Sequence, residues 1–292
     1  MRTLWRGQGN FFSLTVALTI VCMLSACTVA PITPQRPPHL PERGFTLILP
    51  VYDAPGLTYT LTTLAPYVRD EDRFMIVSGN TSGEVDTAWI NHAAAELRAA
   101  YPYARLYAAT SGLTNMARAA AEVSEHVEAV VYIYEPNFPN QPEFSWDFGE
   151  TQAHFTEAAY LARQGGFRAI GKPTGRPVNQ PSLAKHDWDY GALAGTVDEM
   201  LIQTQTYCKD SAVEFGAALD AIGAQFQAND PTLFWLPQIT IAPNHPNGTT
   251  VVQAKACLEA ARARGIGGTV LWWSPPYVER TVEFLDDLNA AR

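Results

Sequence analysis

The chain predicts one (β/α)8 barrel, and three observations carry that prediction. Short apolar runs alternate with helix-like stretches about eight times between Gly44 and Arg292. The order is strand then helix throughout, which joins neighbouring strands in parallel, because a parallel crossover is long enough to hold a helix. Roughly 250 residues ending on a helix also match the closed eightfold barrel in length and order. The competing arrangement is an open doubly wound sheet.

The first residues lie outside that repeat. Arg2 and Arg6 precede an apolar run, Phe11 to Leu24, and Leu24-Ser25-Ala26-Cys27 follows at once. A basic start, an apolar core short for a membrane span and small residues at the cut read as a secretory signal. Leu-Ser-Ala-Cys resembles the lipobox of bacterial lipoproteins. The resemblance implies cleavage before Cys27 and acylation of its sulfur and new amino group; an ordinary signal or an uncleaved anchor is the alternative. Residues 1–26 are then the signal peptide, and a lipid anchor holds the protein at a cell membrane or the outer surface, on the extracytoplasmic side. Each buried methylene of such an anchor contributes about 0.8 kcal/mol. Prolines at 31, 34, 37, 38 and 41 make residues 27–43 a tether, extended at about 3.1 Å per residue.

The barrel domain is expected over 44–292. Its strands are read at Thr46 to Tyr52, Arg73 to Ser78, Arg105 to Ala109, Ala129 to Tyr134, Arg168 to Gly171, Met200 to Thr204, Leu233 to Ile241 and Thr269 to Trp273. The clearest helices are Glu84 to Ala100, Thr114 to His126, Glu150 to Gln164, Ser211 to Gln227, Thr249 to Arg264 and Tyr277 to Ala291. The first helix, somewhere in Tyr59 to Arg69, is threonine-rich, and the fifth, in Tyr190 to Gly195, is barely a turn.

Charge and cysteines narrow the function. The formal charge of −9 becomes −11 once Arg2 and Arg6 leave with the signal, so the basic stripe that nucleic-acid binding requires is missing. No glycine loop of nucleotide-binding type follows a strand, and the scattered histidines form no metal pattern, so neither a metal nor a cofactor is expected. Cys208 and Cys257 are a possible disulfide in an exported protein, with two buried thiols as the alternative.

In such a barrel the active site forms at the C-terminal strand ends. Glu135 ends the run Val130-Val131-Tyr132-Ile133-Tyr134, apolar enough to desolvate a carboxylate in the way a general acid requires. The structural alternative is a salt bridge to Lys172 on the neighbouring strand. Gln203 and Gln205 share one strand face by period two, and with Asn80, Asn137, Lys172, Gln238 and the indoles of Trp272 and Trp273 they line a mouth suited to a polyol or carbohydrate. Serine hydrolysis lacks a nucleophile elbow. Lys172 next to Glu135 could in principle form a Schiff base, as in barrel aldolases, but central-carbon chemistry is not expected of an exported lipoprotein, so this is the lesser reading.

Eight units, a glutamate closing strand four and a tryptophan closing strand eight resemble the TIM-barrel glycoside hydrolases, and Ile76 to Gly83 looks distantly like the strand-two region of spherulin-like barrel proteins. The resemblance implies glycan hydrolysis with Glu135 as proton donor and Trp272 or Trp273 as a sugar platform. Two departures stand against it. Leu236-Pro237-Gln238 replaces the strand-seven glutamate of the large retaining clan, and Ile133 and Val131 stand where chitinase-like barrels carry aspartates. Ordinary hydrolysis needs two carboxylates, about 5–5.5 Å apart for retention and about 6.5–9.5 Å for inversion. Asp53, at the end of strand one, is the expected partner; Asp147, Asp187 and Asp189 are the loop candidates. A carbohydrate-binding lipoprotein that lost its second acid is the alternative function.

Overall fold

Eight strands, Thr46–Val51 (β1), Arg73–Val77 (β2), Arg105–Ser111 (β3), Ala129–Tyr134 (β4), Arg168–Pro173 (β5), Glu199–Ile202 (β6), Trp235–Thr240 (β7) and Gly268–Trp272 (β8), pair in parallel in chain order. The computed structural model describes residues 44–78, 83–136, 141–175, 188–242 and 248–290. Cys27, Asn80 and Asn137 lie outside them. The sheet closes through Thr46 beside Gly268 and Ile48 beside Val270, so the open-sheet alternative is not what forms. Gly268 permits this closure, since a Cβ there would collide with the Thr46 carbonyl oxygen.

Which residues face inward follows from one glycine and the register. A Cβ on Gly171 would stand 2.8 Å from the Phe155 ring in the helix layer, so Gly171 faces outward and its neighbours Ile170 and Lys172 face the interior. Ile170 is level with Val131 and with Glu199, and Lys172 is level with Ile133. Val131, Ile133 and Glu135 therefore share the inner face of β4 and its end, while Tyr132 and Tyr134 pack outward on Phe155 with ring centroids 5.3 and 5.4 Å away.

The helices are Ala54–Leu61 (α1), Thr87–Ala100 (α2), Leu113–Glu122 (α3), Phe148–Gln164 (α4), Tyr190–Ala194 (α5), Gln205–Asp210 (α6), Ala212–Asn229 (α7), Val251–Arg262 (α8) and Val278–Ala290 (α9). Side-chain caps start most of them: Asp53, Asp86, Asp147 and Asp189 for α1, α2, α4 and α5, Ser211 for α7, and Thr250 in a capping box with Gln253 for α8. Two departures from the sequence reading bear on the mouth. The first helix begins at Ala54 rather than within Tyr59 to Arg69, because Asp53 caps it and Pro55 suits its first turn. Its threonines are accommodated by bonding back: the hydroxyls of Thr58, Thr60 and Thr62 donate to the carbonyls of Ala54, Gly56 and Thr58 at 3.0, 2.8 and 2.7 Å. Strand six stops at Ile202 rather than Thr204, and the chain turns directly into α6.

The N-terminal end of the barrel is filled by charge. Glu199, its side chain 2 % exposed, accepts from Arg73 at 2.8 Å and the Tyr107 hydroxyl at 3.2 Å, and forms ion pairs with Arg168 at 2.9 Å and Arg105 at 3.8 Å. Arg73 also lies 4.2 Å from the Phe234 ring centroid. Except for Tyr107, these charged groups belong to the first residues of β2, β3, β5 and β6. The opposite end is the mouth.

Candidate functional site

The mouth is built from strand ends. Tyr52 follows β1, Glu135 follows β4, Lys172 sits in β5, Gln203 follows β6, Gln205 opens α6, Gln238 lies in β7 and Trp272 ends β8. Gln141 secures the end of β4: its Oε1 accepts the Glu135 amide at 2.9 Å and its Nε2 donates to the Ile133 carbonyl at 2.7 Å. Gln203 Nε2 donates to the Lys172 carbonyl at 3.2 Å. The Thr204 hydroxyl bridges to Gln238, donating to its carbonyl and accepting from its amide, each at 3.1 Å. At the ends of the neighbouring strands β1 and β8, Tyr52 and Trp272 stack obliquely with centroids 4.7 Å apart, and Lys172 Nζ, from β5, lies 5.5 Å from the Trp272 ring centroid.

Several polar atoms here are buried without a hydrogen-bond partner: the Tyr52 hydroxyl, Lys172 Nζ, and the Oε1 atoms of Gln205 and Gln238. Each such group left unpaired costs about 1–3 kcal/mol, and four of them stand together at this end of the barrel. Burial lowers the Lys172 pKa to about 8, against the opposing pull of the Glu135 charge. Burial, then the charge of Glu135, pushes the Tyr52 phenol well above its usual range. Glu135 thus acts on both groups, yet Lys172 Nζ is not within the 4.0 Å of it that an ion pair requires.

Not every residue expected in the mouth faces it. Asp53, one residue beyond Tyr52, is exposed, and its Oδ1 accepts the Gly56 amide at 2.7 Å as the cap of α1. Asp147 and Asp189 are likewise caps, accepting from the amides of Glu150 at 2.9 Å and Ala192 at 3.0 Å; Asp187 lies outside the described residues. Trp272 is half-buried at the mouth, whereas Trp273 is 1 % exposed and offers no open indole face. Alternation puts it on the opposite side from Trp272. Gln205 is buried near the mouth, but as the first residue of α6 rather than as a strand partner of Gln203. Tyr52 is the residue that sequence reasoning passes over; period two from Ile48 and Pro50 is the signal that finds it.

A groove of about 540 Å³ lies at the other end of the barrel, lined by Asp220, Phe234, Trp235 and Arg264 among others. Its charged pair is satisfied internally, Arg264 gripping Asp220 through two bonds of 2.7 and 2.8 Å. It presents nothing comparable to the unpartnered groups of the mouth.

No family model and no curated protein matches the chain. Among solved structures it is similar to the PgaB (BpsB) glycoside hydrolase domain from Bordetella bronchiseptica, with a TM-score of 0.59 at 8 % identity over 84 % of this chain and 97 % of that one. It is also similar to a GH18 chitinase from Pseudoalteromonas aurantia, with a TM-score of 0.57 at 8 % identity over 85 % and 100 % of the two chains. The spore cortex-lytic enzyme SleL from Bacillus megaterium QM B1551 gives 0.55 at 9 % identity over 82 % and 72 %. At these identities the likeness is one of fold: the chain is a single (β/α)8 TIM barrel whose structural neighbours include glycoside hydrolase barrels.

Proposed function

We propose that the barrel mouth binds a glycan or other polyol and hydrolyses a glycosidic bond, with Glu135 as proton donor. The observation that carries this reading is the inward Glu135 among unsatisfied amide and hydroxyl groups, the set that sugar hydroxyls complete. The half-buried Trp272, stacked on Tyr52, supplies an aromatic surface for the C–H side of a ring. The engagement of Asp53, Asp147 and Asp189 as caps favours a second reading, a binding protein without the partner acid. The test compares the full chain with Glu135→Gln on a panel of polysaccharides, scoring binding and new reducing ends. The hydrolase reading expects binding to persist while turnover falls by roughly 10² to 10⁴. Binding without turnover in both forms establishes the second reading, and absence of binding to every glycan removes both.

We further infer that the protein works at the cell envelope, held by lipid on Cys27 and carried on the proline-rich tether. The support is the Leu24-Ser25-Ala26-Cys27 sequence behind a basic, then apolar start. In a detergent phase separation Cys27→Ser is expected to move to the aqueous phase; continued partitioning with detergent would identify an uncleaved anchor instead.

A further inference from the structure

The chain has four lysines, Lys172, Lys185, Lys209 and Lys255, against sixteen arginines. Arginines pair with Glu199, Asp198, Asp220 and Glu122, and Lys255 pairs with Asp287. Lys172 is used differently. It is 0 % exposed, it faces the interior of the barrel on the mouth side, and its Nζ has no hydrogen-bond partner. A guanidinium there would stay charged, whereas a buried amine can shed its proton. An unpaired ammonium is costly to bury and a neutral amine much less so, and the neutral amine is a nucleophile.

We propose that Lys172 is the nucleophile of an imine-forming site that captures a hydroxylated aldehyde or ketone in the barrel mouth. The Nζ lone pair attacks the carbonyl carbon while the π pair moves to oxygen, which takes a proton as nitrogen gives one up. The resulting carbinolamine loses its hydroxyl as water, with a proton delivered from Glu135, and the C=N bond forms. Water addition reverses the sequence, so no oxidant or further reactant enters. Glu135 on the adjacent strand is the proton carrier and the unpartnered Tyr52 hydroxyl the donor to the carbonyl oxygen. The free Oε1 atoms of Gln205 and Gln238 accept from hydroxyls on the rest of the ligand. The inference goes beyond hydrolysis, which needs no amine, although the open-chain form of a free sugar is one such ligand.

The probe is glyceraldehyde with sodium cyanoborohydride, which reduces an imine to a stable amine, followed by digestion and mass mapping of the four lysines. Applied to the full chain near neutral pH, it is expected to label Lys172 about tenfold faster than Lys185, Lys209 or Lys255. Among the described residues, the titratable groups at the mouth beside Lys172 are Glu135 after β4, whose charge acts on it, and Tyr52 after β1; Gln203 and Trp272 are neutral. Labelling of Lys172 should therefore rise as the pH passes through about 8, where its amine loses its proton, and level off beyond that range. Glu135→Gln should slow the Lys172 adduct and leave the others unchanged. Labelling that follows exposure, or spares Lys172, overturns the proposal from the unaltered chain alone, whatever a Lys172→Met variant does to folding. An unlabelled Lys172 in a chain that still binds glycan would remove the imine site and leave the hydrolase reading standing. A labelled Lys172 in a chain that binds no glycan would do the reverse.

Discussion

Asp53 can be a helix cap or a catalytic acid, and two substitutions separate the roles. As a cap its Oδ1 holds the Gly56 amide, a task asparagine performs equally well. Asp53→Asn should leave stability and any glycan turnover unchanged, while Asp53→Ala should lose about 1 kcal/mol in urea denaturation. Loss of turnover in the asparagine variant would return Asp53 to the chemistry. Glu135, Lys172 and Gln238 were legible because period two holds inside a strand and at its first step beyond, so each takes the inner face that the run before it sets. Gln205 was not, because alternation does not continue past Ile202, where the strand stops, and Trp273 was not, because reading both adjacent indoles into the mouth ignores the alternation that sends them to opposite sides. Exposure was likewise invisible, since an indole next to a strand end reads the same whether it faces the mouth or the core.

The strands were legible as elements because parallel barrel strands are buried on both faces and stand out as continuous apolar runs. Their order and number set the closed sheet, while α1 was misplaced because threonine content outweighed the Asp53–Pro55 start signal. The charged first residues of β2, β3 and β5 are visible in the sequence as Arg73, Arg105 and Arg168, but their common partner was not. Strand six was started at Met200, one residue beyond Glu199. That carboxylate joins elements far apart in the chain, so Glu199→Ala should cost about 3 kcal/mol in chemical denaturation, as expected when one member of a buried ion-pair cluster is removed. A loss below about 1 kcal/mol would mean that solvent already screens the cluster, in the manner of a surface pair.

At the scale of the molecule, Cys208 of α6 and Cys257 of α8 form a disulfide with Cα atoms 5.8 Å apart, tying together the two crossovers that flank β7 across 49 residues. Closing a loop of that length restricts the unfolded chain by roughly 4 kcal/mol. A Cys208→Ala, Cys257→Ala double variant should lose about that much in urea denaturation, and an unchanged midpoint would show that the crosslink adds nothing to the packing around it. The aspartate caps act at this scale too. The positive ends of α1, α2, α4 and α5 all lie on the mouth side, as helix starts do in a (β/α)8 barrel, and each is answered by a carboxylate from Asp53, Asp86, Asp147 or Asp189. Each full carboxylate charge more than offsets the partial positive charge of the start it caps, so these four helix ends offer an anion no net attraction, and adding salt should weaken what repulsion they exert.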